Sequence, residues 1–258
     1  MIRPLLVRGM LVGLVAGLLA FGFAKYFGEP HVQKAIDFEE MVSEAHSHGS
    51  AAHSHGAGEV EAEVITRGTQ RGIGLLAGMT VMGIALGGIF SLVFAYAYGR
   101  MSAFRARGTA ALLGLAAFVT VTLIPFTKYP PNPPATGDPN TITERTLLYV
   151  TMIAITVLSA PAAARLRRQL LPQRGGWNAS LLAAGLFIVV VVGAQLILPT
   201  VSEIPQGFPA DTLYRFRLAS LGINATIWAS IAIGFGIAAE RLLEPARRTS
   251  AAANPSAA

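Results

Sequence analysis

All five histidines of the 258-residue chain fall in one stretch: His31, His46, His48, His53 and His55. The last four form a short duplication, His46-Ser47-His48-Gly49 and His53-Ser54-His55-Gly56. Carboxylates flank it, with Asp37, Glu39, Glu40 and Glu44 before and Glu59, Glu61 and Glu63 after. Neutral imidazole is a good ligand for cobalt, nickel, copper and zinc. Small Ser, Gly and Ala residues between the histidines allow the backbone to fold around an ion. The competing reading is a low-complexity, disordered spacer or a non-selective metal sponge. A flexible tract must be ordered when it binds, and metals compete for it in the Irving–Williams order. Such a tract suits capture and hand-off better than selection.

A second group of charges is Glu203 and Asp211, with Arg215 and Arg217 just downstream. The carboxylates are candidate oxygen ligands or cation attractors, and the arginines are candidate partners for them. Polar residues within the apolar runs are few, and in a membrane such residues are expensive and often functional. Gln195 and Asn224 are the candidate pathway residues; Asn178 and Trp177 sit at an interface, and Met79 and Met82 read as packing. No Asp, Glu or His lies deep in an apolar run, unlike a typical proton-coupled carrier. The chain has no cysteine, so thiolate ligation and disulfides are excluded. GxxxxGK[ST], HExxH and GxSxG are all missing, which argues against ATP hydrolysis by this chain and against protease or esterase chemistry. An enzyme is not expected, nor a permanently bound cofactor.

The elements carrying these residues follow from composition. The chain is 53% hydrophobic and 13% charged, about half the charge of an ordinary soluble domain. Its charges cluster between apolar runs. The net charge of +6 forms no continuous basic face, so nucleic acid is not an expected partner. A bilayer core needs about 20 apolar residues in a helix. Six segments approach that length: 5–27, 72–98, 109–127, 146–164, 179–198 and 218–239. Stop signals follow them at Gly28-Glu29-Pro30, Gly99-Arg100, Lys128 with Pro130, Arg165, Pro199 and Glu240-Arg241. The expected fold is therefore an all-α polytopic transmembrane bundle. The domain order is a first span at 1–27, a His- and acid-rich loop at 28–71, a five-span bundle at 72–239 and a disordered tail at 240–258.

Arginines mark alternate loops: Arg3 and Arg8, then Arg100, Arg105 and Arg107, then Arg165, Arg167, Arg168 and Arg174, and finally Arg241, Arg247 and Arg248. The positive-inside rule then places both termini in the cytoplasm and the histidine loop outside. The first segment also resembles a signal peptide, and its cleavage would leave five spans. Its apolar run is longer than a usual signal, which favours retention. Gly9, Gly13 and Gly17 line one face of it, and Gly74, Gly78, Gly83 and Gly87 repeat the spacing in the second span. Such spacing permits close helix approach. The third loop, Lys128-Tyr129-Pro130-Pro131-Asn132-Pro133-Pro134, cannot be helical. It reads either as a stiff rim around an entrance or as a helix terminator.

Several stretches together resemble one known family. They are "RGMLVGLVAGLLAFGFAKYFGEP", "TRGTQRGIGLLAG", "PFTKYPPNPPATGDPNTI", "GGWNASLLAAG" and "EIPQGFPADTLYRFRLASLG". They resemble the CbtA-type cobalt transporter subunits, over about residues 3–235. "KYPPNPP" and "GFPADTLYRFR" are the most specific of them. The resemblance implies bacterial inner-membrane cobalt uptake linked to cobalamin biosynthesis, with cobalt(II) as cargo. It also implies a small single-span partner, CbtB, with histidines of its own. The family is described with five spans where six are counted here. The histidine loop would concentrate divalent metal, which would then pass between the helices near Gln195 and Asn224. The alternatives are a nickel or zinc transporter subunit, since borderline ligands do not separate these ions, and an accessory metal-binding membrane protein without a pathway.

Overall fold

A computed structural model describes residues 2–49, 66–100, 104–134, 136–137, 139–201 and 203–244. His53, His55 and the tail beyond Glu244 lie outside them. Among the described residues there is no strand; the chain is helical with short connections. Five helical runs are long and apolar enough to cross a membrane: Ile2–Glu44, Arg67–Ala97, Ala106–Lys128, Ile142–Ile197 and Ala210–Leu243. The expected spans at 146–164 and 179–198 both fall within the fourth run, save for Leu198 at its end.

The first run does not stop at Gly28-Glu29-Pro30. Helix α1 (Ile2–Phe23) passes through a π-helical turn, Ala24–Gly28, into α2 (Glu29–Gly49). Proline lacks an N–H, and its ring crowds the carbonyl one turn back. The wider π turn before Pro30 takes up that crowding. A short helix, α3 (Arg67–Thr69), enters α4 (Leu75–Ala97) through a second π turn, Gln70–Gly74. Helix α4 does end where expected: Tyr98 is extended, and Gly99 has φ +76°, a conformation that favours glycine. Helix α5 (Ala106–Ala117) continues through a third π turn, Phe118–Leu123, into α6 (Ile124–Lys128), which stops just before the proline-rich loop.

Helix α7 (Ile142–Ile197) holds 56 residues. Straight, it would measure roughly 84 Å, nearly three bilayer cores. It is not straight: Gly175 has φ 72° and ψ 167°, which breaks the helical path. The expected stop at Arg165 therefore comes later, at Gly175. Pro199 ends α7 by forcing Leu198 into an extended conformation, ψ 140°. Helix α8 (Ala210–Leu243) runs through Glu240-Arg241 to Leu243, so the start of the expected tail is helical.

The chain forms two compact units. The first comprises Met1–Pro30, Met41–Ala116 and Gly222–Ala258. Its core begins with α1 against α4. A Cβ at Gly13 would stand 3.1 Å from the Gly87 Cα and closer still to the Gly83 carbonyl, so the two backbones touch along the glycine stripe. Phe235 of α8 is fully buried edge-on against Phe94, with ring centroids 5.0 Å apart. Polar contacts cap the unit's basic end. Arg8 donates to the Ala238 carbonyl at 2.7 Å, and Arg107 pairs with Glu240 at 2.6 Å. Glu244 accepts from the Tyr98 hydroxyl at 3.0 Å and the Ala106 N–H at 3.1 Å.

The second unit comprises His31–Glu40 and Ala117–Leu221. Met152, Val191 and Ala194 form its core, with Ile124, Tyr129, Ile155, Phe187 and Leu198 packed around them. Phe38 meets Phe208 edge-to-face at 5.2 Å and seats the α2 segment. Aliphatic side chains cover the outside of the helices: Leu196 is 81% and Ile197 84% exposed. In water such a surface would aggregate, whereas in a bilayer it is ordinary.

Candidate functional site

Of the expected ligands, His31, Glu203 and Asp211 have described side chains. His46 and His48 lie on the helical backbone of α2, and His53 and His55 are outside the described residues. Among the described residues, no group of three or more His, Cys, Asp or Glu side chains is placed to hold a metal. Of these ligands, His31 and Asp211 come within electrostatic reach of each other. Burial lowers the His31 pKa below the usual 6.5, Lys34 and Arg215 lower it further, and Asp211 opposes them. His31 lies past the apolar run that ends at Phe27, and its Nδ1 is buried without a hydrogen-bond partner. The lowering favours the neutral imidazole, the form that binds metal.

Arginines hold the two expected carboxylates. Asp211 accepts from Arg215 Nε with both oxygens, at 2.8 and 2.9 Å, one helical turn apart. Glu203 pairs with Arg145 at 3.3 Å, a partner far away in sequence. Arg217 instead donates to the Asn132 side chain in the proline-rich loop at 2.8 Å.

That loop is tied down along its length. Lys128 donates to Thr200 at 2.9 Å, and the Tyr129 hydroxyl donates to the Pro199 carbonyl at 2.7 Å. Thr136, buried, closes a turn onto the Pro133 carbonyl at 2.7 Å. The Arg145 guanidinium packs so closely on Gly137 that a Cβ there would overlap it. Prolines cannot donate to a ladder, so side chains from α7, α8 and the 199–200 segment order the loop instead. Lys128, Arg145 and Arg217 surround this loop with positive charge, with Glu203 as the paired acid.

Beyond the proline-rich loop, polar groups follow α6 and α7. Gln195 donates to the Thr127 hydroxyl at 2.8 Å, and Thr127 donates to the Ile124 carbonyl at 2.7 Å. Deeper still, Thr156 of α7 is fully buried and its hydroxyl lies 2.6 Å from the Thr120 carbonyl on the π turn. Thr120 and Thr122 are buried as well. Asn224, the other expected pathway residue, is half-buried on the part of α8 that belongs to the first unit, whereas Gln195 belongs to the second.

Sequence reasoning missed Arg145, Asn132, Thr120, Thr127 and Thr156. Threonine is unremarkable in an apolar helix, and the Arg145–Glu203 pair spans a long separation, so neither carries a local signal. Met79 and Met82, read as packing residues, are respectively half-buried and exposed on α4, whereas Met152 of α7 packs in the core of the second unit.

Long apolar helices that leave their aliphatic surface uncovered define a multi-pass membrane protein. Residues 2–240 match the family described as "Probable cobalt transporter subunit (CbtA)", and the chain belongs to that family. It is thus of a family of transporter subunits rather than enzymes. No curated protein and no solved structure matches the chain.

Proposed function

We propose that this chain is the membrane component of a cobalt uptake system in the bacterial inner membrane, serving cobalamin biosynthesis beside a small single-span CbtB-type subunit. The family match over residues 2–240 carries this reading. The chain crosses the membrane six times, with both termini inside. The break at Gly175 supports that count: it divides α7 into arms of 142–174 and 176–197, each long enough to span. Arg165, Arg167, Arg168 and Arg174 lie next to the break, where the positive-inside rule wants them.

The outward histidines His46, His48, His53 and His55 raise the local concentration of divalent metal, and His31 adds a further imidazole at the start of α2. Glu203 and Asp211 act as attractors that keep their arginine partners rather than as bare ligands. The ion then passes the helices by way of Gln195 and Asn224.

The test is radioactive cobalt uptake by cells lacking other cobalt importers, with and without this chain and its small partner. A parallel variant carries alanine at His46, His48, His53 and His55. Accumulation that requires the chain, and that weakens in the variant at low cobalt only, supports capture followed by transport. Unchanged cobalt uptake on deletion overturns the reading, and chain-dependent nickel or zinc uptake in the same cells would reassign the cargo.

A further inference from the structure

Helix α7 carries an exposed stripe that changes chemistry along its length. Val150, Ala154, Leu158 and Pro161, then Arg165 and Arg168, follow one another at steps of three or four residues, and all are exposed. Such steps keep residues on one helix face. Met152, Thr156 and Ala163 follow the same rhythm and are buried. Arg165 and Arg168 stand roughly 200° and 140° around the helix from Ala163. The two guanidinium side chains therefore belong to the face turned away from the protein. Val150 to Pro161 rises roughly 16 Å, close to the hydrocarbon depth of one leaflet. The stripe thus offers an acyl-chain surface that ends in two positive charges. The sequence holds no Asp or Glu between Glu144 and Glu203, and among the described residues Arg165 joins no ion pair. The helix dipole does not account for Arg165, which lies more than two turns before the break at Gly175, because that effect fades within the last turn. Arg167 is spent otherwise: its Nε donates to Ser180 at 2.8 Å across the break. Trp177, just past the break and 77% exposed, is an aromatic of the kind that settles at headgroup level.

We propose that this stripe binds an anionic glycerophospholipid. The acyl chains lie along Val150, Ala154 and Leu158, and Arg165 and Arg168 hold the phosphate, an anion that the guanidinium fork matches. A zwitterionic lipid carries the same phosphate beside an ammonium that opposes the attraction, so the stripe selects by charge. The binding stands apart from the transport reading; only the leaflet, the cytoplasmic one, rests on the course of α7 proposed above.

The chain has no cysteine, so Leu158→Cys accepts a single bimane fluorophore on the stripe. Ile188→Cys places the same label on the exposed surface of the other arm of α7. The labelled full chain is reconstituted in phosphatidylcholine, with part of the lipid replaced by brominated phosphatidylglycerol or, in a parallel set, by brominated phosphatidylcholine. The ratio of quenching by the two brominated lipids reads the preference for the anionic one. At Leu158→Cys it should be about five times that at Ile188→Cys. Adding Arg165→Gln with Arg168→Gln should remove the difference, and Arg165→Lys with Arg168→Lys should keep most of it. Equal ratios at the two positions of the chain with its arginines overturn the site and leave those arginines as topology signals or as a contact for a protein. A difference that persists in the glutamine variant overturns the assignment to Arg165 and Arg168. Should the glutamine variant fail to fold, the comparison of the two label positions decides alone. Cobalt accumulation is scored separately: lipid preference without accumulation keeps the stripe and removes the transport reading, and accumulation without lipid preference does the reverse.

Discussion

His31 shows how placement alters a residue whose type was legible from the start. Its pKa is lowered by burial first and by the cations Lys34 and Arg215 next. The folded chain then binds fewer protons at this position than the unfolded one. Stability linked to His31 is accordingly full above the ordinary 6.5 and is lost as pH falls toward the lowered folded value. His31→Gln should flatten the fall in unfolding midpoint between pH 7.5 and pH 5, as measured by thermal unfolding across that range. Arg145 offers a second test. It neutralises Glu203 and packs on Gly137. Arg145→Met should cost about 1–2 kcal/mol and loosen the proline-rich loop, read as faster proteolysis there. Sequence reading could name Glu203 as a charge beside arginines, yet its partner is Arg145 rather than the nearer Arg215 or Arg217. Local spacing favours pairs one turn apart, such as Asp211–Arg215, and is silent on pairs made by folding.

Helices show the opposite balance. The glycine spacing of α1 and α4 predicts a close approach, and the two backbones do touch along Gly9, Gly13, Gly83 and Gly87. Gly13→Val should separate them and destabilise the first unit by roughly 1–3 kcal/mol, measured by unfolding in detergent. Gly175 is different: its φ of 72° with ψ of 167° is available to glycine and almost nothing else. Gly175→Val should cost about 1–3 kcal/mol, or straighten α7 and impair insertion, read from expression and chromatographic profile. Stop signals were legible where a proline or glycine acts directly, at Gly99 and Pro199. They failed at Gly28-Glu29-Pro30, because a π turn absorbs the proline, and at Arg165 and Glu240-Arg241, because charge alone does not end a helix.

At the scale of the whole molecule, the absence of cysteine supplies a clean background for mapping sidedness. Single variants Arg105→Cys and Arg168→Cys should resist an impermeant maleimide in intact cells, and Gln206→Cys should react. Labelling of Arg168→Cys from outside would reverse the proposed course of α7 and reduce the crossings to five.

Composition and the lengths of the apolar runs determined by themselves that the chain is an all-helical membrane protein, and the motif stretches pointed to its family. This was legible because membrane insertion depends on length and hydropathy, which are local properties of a sequence. The glycine stripe was legible for the same reason, since a four-residue spacing fixes a helix face. Tertiary structure alone decided that Glu203 meets Arg145, that Arg217 holds the proline-rich loop through Asn132, and that Thr156 faces a π turn at Thr120. Each joins residues far apart in the chain. Their meeting depends on how helices pack, and in a single sequence nothing local encodes that.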